Sequence, residues 1–334
     1  MTTLYLKKSI AQWRLQLALL FISLVFACFA LPPRAQAVNP APDGGYPGGN
    51  TAEGQNALFS LTSGGFNTAV GFFSLRSNAT GQFNTAIGAG TLLANTADEN
   101  TATGAGALLS NTTGPGNTAN GAFALFSNTT GGFNTANGDR ALFSNTVGAQ
   151  NTATGISALT SNTGGLRNTG NGAYALANNI TGNDNTAIGM FALFSNIASD
   201  RNTATGSQAL FSNSTGGDNT ATGWQALYSN TTGGDNTALG YSALNGNTTG
   251  DFNTALGFAT GNGVTTANAV TCIGAGVGGA NVSNTTWIAN VYGVSTQSGT
   301  TAPVVVSDNG QLGTAASSER FKKDIATMAT CTVS

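Results

Sequence analysis

The sequence predicts an all-β chain: a β-solenoid, or trimeric β-helical stalk, of 17-residue coils. Three observations predict it. The tripeptide Asn-Thr-Ala recurs at a fixed step, one glycine and one leucine recur at fixed places within that step, and Gly (47 residues) and Asn are too frequent for helix. A fixed period of this kind is the signature of a stacked architecture.

Composition narrows the function classes. Only 7 % of the 334 residues are charged, against roughly 25 % in an average domain, and none is His. Without His there is no Ser-His-Asp triad, no Cys-His pair and no His-ligated zinc. The net charge of −2 gives no clustered Lys and Arg with which to neutralise phosphates, so no nucleic-acid partner is expected. Disorder combines low hydrophobicity with high net charge, whereas 40 % of this chain is apolar. An ordered, non-globular protein fits best.

Residues 1–37 read as a secretory signal. Lys7, Lys8 and Arg14 make the basic n-region, Leu17 to Leu31 is mostly apolar, and Ala35-Gln36-Ala37 offers an A-x-A cleavage site. The apolar run is shorter than the roughly 20 residues a spanning helix needs. The expected location is therefore secreted or cell-surface, with no membrane span in the mature chain. Cleavage removes Lys7, Lys8, Arg14 and Arg34, leaving 7 of 11 basic residues against 13 acidic ones, net −6. Cys28 leaves with the signal, while Cys272 and Cys331 stay, and spacing does not say whether they pair.

A Pro/Gly-rich linker, 38–49, leads into thirteen repeats over 50–266. They start at Asn50, Asn67, Asn84, Asn100, Asn117, Asn134, Asn151, Asn168, Asn185, Asn202, Asn219, Asn236 and Asn253, every step being 17 except the 16 between Asn84 and Asn100. Gly holds position five in all thirteen and Leu position nine in twelve, from Leu58 to Leu244. Position ten is often aromatic (Phe126, Phe143, Phe211), and the closing Ser-Asn-Thr-Thr-Gly-Gly suits a turn with positive φ. Two short strands and two turns per unit are expected. Ordering 17 backbones costs roughly 1–2 kcal/mol each, more than one buried Leu returns, so no unit folds alone and stacking must stabilise it. Asn at positions one and twelve should form amide ladders. One large apolar residue per coil is a thin core, from which a homotrimer sharing its Leu stripes is expected.

Asp184, Asp218 and Asp235 fall on position seventeen, but Arg201 interrupts the series and the calcium-binding glycine-rich nonapeptide is absent. These carboxylates read as solvated turn residues; no metal or cofactor is expected. Residues 267–316 read as a β-rich neck, with Val304-Val305-Val306 and Gln311-Leu312-Gly313 forming a hairpin about a type I′ Asn309-Gly310 turn.

The Asn-Thr-Ala-x-Gly units resemble the head and stalk repeats of trimeric bacterial surface adhesins in architecture, with a different repeat length. Trp287 to Val294, Asp308-Asn309-Gly310-Gln311-Leu312-Gly313 and Ser317-Ser318-Glu319-Arg320-Phe321-Lys322 are similar to the start of the self-cleaving intramolecular chaperone domain of phage tail spikes and endosialidases. The resemblance implies trimerisation, cleavage after Ser317 and a Ser317/Lys322 pair, with a desolvated Lys serving as base. Ser318 stands where that family has Asp, and the 17 residues after Ser317 are too few for its helical continuation, so 317–334 reads as a truncated start and no enzyme activity is expected.

The function expected is an exported structural or adhesive fibre, its partners being copies of itself and a surface glycan or protein. A phage-like tail-fibre fragment with an auto-processing end is an alternative. An ice- or mineral-binding solenoid is a second. The first expectation is checked by intact mass: exported protein should begin at Val38, and a product retaining residues 1–37 rejects the cleavage.

Overall fold

The structure is a computed structural model, and it describes residues 46–292, 304–308 and 310–314. The expected signal, most of the linker, Cys28, Cys331, Ser317 and Lys322 lie outside the described residues.

The chain is a β-solenoid. Fifteen three-residue strands, from β1 (Thr51–Glu53) through β13 (Thr254–Leu256), β14 (Thr271–Ile273) and β15 (Thr286–Ile288), form one parallel sheet in sequence order. Each pairs in register with the next, as Thr135, Ala136 and Asn137 do with Thr152, Ala153 and Thr154. At about 4.8 Å per coil the stack is about 70 Å long. No described residue is helical. The sheet runs past the last Asn-Thr-Ala unit, β14 and β15 lying in the segment read from sequence as the neck.

Within a coil the order is simpler than the two strands expected. Positions two to four form the only strand, and the rest is turn, held to its neighbours by backbone bonds such as Leu125 N–H to Ala141 C=O (2.9 Å) and Ser127 N–H to Phe143 C=O (3.0 Å). A second strand is excluded by backbone handedness. The twelve position-nine leucines all have φ between 49° and 53°, and position seven is also left-handed, as at Phe123 (φ 56°). An L-residue costs roughly 1–2 kcal/mol there. Burying a Leu returns about 1.5–3 kcal/mol, which offsets it.

The closing glycines, expected to carry positive φ, do not. The first of the pair, at position fifteen, is glycine for lack of space: a Cβ on Gly148 would lie 2.6 Å from the Gly165 oxygen and 2.8 Å from Asn162 Nδ2. Positive φ belongs instead to the position-five glycines, among them Gly138 (φ 143°), whose added Cβ would meet the Gly155 oxygen at 2.5 Å.

The core lies inside a single chain. Ala at positions three and eight and Leu at position nine are buried along the stack, Leu75 to Leu227 each at 0 % exposure. The premise that three chains must share their Leu stripes therefore does not hold, because each coil closes around its own leucine and its neighbours cover it above and below. Half-buried Tyr46 packs against this core at the start of the stack, and Trp287 takes the inward position of β15 over Cys272.

Both Asn ladders exist, and they are internal. Asn151 donates its N–H (3.0 Å) and Nδ2 (3.1 Å) to Asn134 Oδ1 and its Nδ2 to the Gly165 carbonyl (2.8 Å), while its own Oδ1 accepts from Asn168 N–H (2.9 Å) and Nδ2 (3.2 Å). At position twelve, Asn145 donates to Asn128 Oδ1 (2.7 Å) and accepts from Asn162 (2.8 Å). The single 16-residue step breaks this second ladder: Asn95 turns its Nδ2 to the Ala97 carbonyl (2.8 Å), leaving Asn78 Oδ1 the one buried side-chain polar atom without a partner among the described residues.

The neck hairpin is present as β16 (Val304–Val306) against β17 (Leu312–Thr314), antiparallel. Its loop is longer than a type I′ turn. Gly310 (φ 81°) donates its N–H to the Ser307 carbonyl (3.0 Å), and Ser307 N–H donates to the Gln311 carbonyl (3.0 Å), so the loop spans 308–310 and Gly310 closes it from its last position.

These contacts rank substitutions in the middle of the stack. Leu159→Ala should cost about 2–5 kcal/mol and Asn151→Ala about 1–3 kcal/mol, both read as lower urea midpoints. Exposed Thr152→Ala should cost about 0.5 kcal/mol or less. Equal effects at Asn151 and Thr152 would refute the ladder's role.

Candidate binding faces of the rod

With Asn, Ala and Leu turned inward, the outer surface is built from the remaining positions. The strand face carries Thr at position two of all fifteen strands, from Thr51 to Thr286, in register and at least partly exposed. Among the described residues none of these fifteen hydroxyls has a hydrogen-bond partner in the protein. Position-thirteen hydroxyls behave differently. Thr112 and Thr146 donate to the carbonyls of Thr129 (2.9 Å) and Thr163 (3.0 Å) in the next coil. The Thr at position thirteen helps hold the stack, while the Thr at position two faces water.

Position four shares that face and varies. It is polar at Thr103, Asn120, Asn137 and Thr154, and apolar and exposed at Leu239, Leu256, Ile273 and Ile288. The only acid in this column is Glu53.

The aromatic side chains form ladders of their own. Phe194, Phe211 and Tyr228 stack at position ten with centroids 5.3 and 5.2 Å apart, and Trp224, Tyr241 and Phe258 stack at position six at 4.6 and 5.1 Å. Each ring covers the face of the next. Rings inside a ladder thus present edges to solvent, which does not suit a sugar needing an open ring face. The position-six ladder was missed from sequence, although its 17-residue spacing was there to be read. The Asn of positions one and twelve are buried and offer no contact surface, and exposed Asn is confined on the strand face to position four, at Asn120, Asn137 and Asn171.

Position seventeen explains the interrupted carboxylates. Arg167 grips Asp184 with its Nε (2.6 Å) and Nη2 (2.8 Å), and Arg201 grips Asp218 in the same way. Those hydrogen bonds hold the Asp184 and Asp218 carboxyls below the usual carboxylate range and raise both guanidinium pKa values. A cation between these coils would meet an arginine. Among the described residues no group of three metal-ligating side chains occurs.

A shallow groove of about 760 Å³ runs along the stack between Ser144, Ser161 and Ser195 at position eleven and Ile180 and Ile197 at position thirteen. Asn178, Thr163 and Ser214 complete its lining, which holds no charged side chain. Cys272 is buried, and burial pushes its thiol pKa up, away from the reactive thiolate. The pair Ser317 and Lys322 lies outside the described residues.

Comparison with known protein families, with curated proteins and with solved structures finds no match.

The ion pairs give a direct measurement. Because Asp184 is held in its charged form by Arg167, its carboxyl should titrate below an ordinary aspartate in an NMR pH series. Arg167→Ala should return it to the ordinary range, and an unchanged titration would reject the pairing.

Proposed function

We propose that this chain is an exported structural rod of the bacterial surface that makes adhesive contact through its strand face. One observation carries the reading. Thr is kept at position two in every strand although the fold gives its hydroxyl nothing to bind, whereas position four, on the same face, varies freely. Fold alone asks only for a residue that suits an exposed strand, which Val or Ile would also satisfy. A column of unpaired hydroxyls about 4.8 Å apart offers repeated hydrogen bonds to a repetitive partner such as a surface glycan. The sequence resemblance to trimeric adhesins supports the same class. A homotrimer would join through exposed position-four and aromatic columns, since the Leu stripes are already covered.

The Thr column also favours a second reading, ice binding, for which a ruled array of hydroxyl and methyl groups is suited. Mineral binding is less well served, with Glu53 the only carboxylate in the position-four column. The variable position four leaves the ruled array one column wide.

The test uses mature chain on immobilised polysaccharides, with ice-recrystallisation inhibition as a parallel assay and light scattering for mass. Thr135→Lys with Thr169→Lys should weaken glycan retention by about tenfold or more. Thr113→Lys with Thr130→Lys, exposed at position fourteen, should leave it unchanged. Equal loss from both pairs, or no retention by folded protein, overturns the adhesive reading; ice activity without retention selects the second.

A further inference from the structure

The parallel sheet stops at β15 with an open edge. In the coils below, position two donates upward, as Thr118 N–H does to the Asn134 carbonyl (2.8 Å), and position four accepts from above, as the Asn120 carbonyl does from Gly138 N–H (2.8 Å). On β15 these positions are Thr286 and Ile288, and among the described residues no strand pairs with that edge. Trp287, between them, is 40 % exposed, whereas Cys272 beneath it is buried. An open, flat edge is a template for unwanted pairing.

The hairpin has a matching edge. Ser307 N–H donates to the Gln311 carbonyl, which makes that pair hydrogen-bonded. Antiparallel pairs alternate, so Val305 and Gly313 are the next hydrogen-bonded pair, and Val304 and Val306 direct their N–H and C=O groups away from β17. Both side chains are largely exposed, at 71 % and 65 %. A two-stranded hairpin standing alone is marginal in water.

Chain length brings the two edges into one register. Strand starts at Thr254 and Thr271 lie 17 residues apart and those at Thr271 and Thr286 lie 15 apart, and the 17-residue step of the repeats, taken from Thr286, reaches residue 303. That register sets Val304 over Trp287 and Val305 over Ile288. The parallel pattern then requires β16 to offer β15 the backbone groups of Val304 and Val306, the same two that β17 does not use. The hairpin's hydrogen-bond alternation fixes which residues of β16 face β15, and the 17-residue period of the repeats fixes the register among them.

We infer that the edge of β15 is the docking site of the chain's own hairpin, with β16 as the sixteenth rung of the ladder. Val304 N–H donates to the Thr286 carbonyl, Ile288 N–H to the Val304 carbonyl, and Val306 N–H to the Ile288 carbonyl. Val304 covers Trp287, and antiparallel β17 ends the parallel series. The rod is thereby given a fixed length and a closed end, whatever its side faces bind.

The test is a cysteine pair in the full chain, with Cys28 and Cys331 replaced by Ser and Cys272 left in the core. Ile288→Cys with Val305→Cys places two thiols on the same face of adjacent rungs, at a strand spacing compatible with a disulfide. Mild oxidation followed by peptide mapping should give a bond within one chain, in about tenfold higher yield than Ile288→Cys with Val304→Cys, which points inward. Adding Val306→Pro removes a donor to β15 without touching a bond to β17 and should lower the first yield severalfold. Equal yields for the two pairs, no bond, or indifference to Val306→Pro overturns the docking. Bonds formed only between chains overturn it in favour of a second copy.

Discussion

Each coil of this rod buries amides that it cannot satisfy by itself. Asn151 reaches one coil back and the next coil reaches for it, and from Asn67 to Asn253 every member of the position-one column donates its backbone N–H to the amide oxygen one coil back. An unpaired buried amide is costly, so coils must stack in register or not at all. The short unit after Asn84 shows how tight the rule is. Where one residue is missing from a closing turn, Asn95 still accepts from Asn111 but no longer donates to Asn78, whose oxygen is stranded.

That constraint sets what is inside and what is outside. Small Ala and a single Leu fill the space between the amide columns, and the backbone bends left-handed at the leucine to bring it in. Such a core is thin by the standard of globular domains. It suffices because stability accumulates between neighbouring coils. The outer surface is left to whatever a column can repeat without penalty. Like charges above one another repel, which accounts for the scarcity of charge, and the alternation of Arg167, Asp184, Arg201 and Asp218 turns the same geometry into attraction.

Threonine at position two is the exception to this economy, as the fold makes no use of its hydroxyl. Threonine at position thirteen is structural, and the aromatic ladders consume their own faces. The column of free hydroxyls is thus the surface on which an adhesive reading rests. The ends of the rod pose a separate problem, since a parallel ladder has no natural stop, and a hairpin of reversed direction supplies one.

The repeat, its period, the solenoid class and the existence of both Asn ladders were legible in the sequence, because a stacked architecture copies each position and the copies can be counted. What the sequence could not settle was direction. Asn and Thr are both polar, and only closure of the coil shows that Asn points inward to the ladder and Thr outward to solvent. The same holds for Leu, which the composition placed between chains and the coil places within one, and for positive φ, expected at the closing glycines but adopted by the position-five glycines and by leucine. Residue type and spacing are properties of the chain, whereas which face a side chain takes depends on a backbone turn that burial compensates only once neighbouring coils are in place.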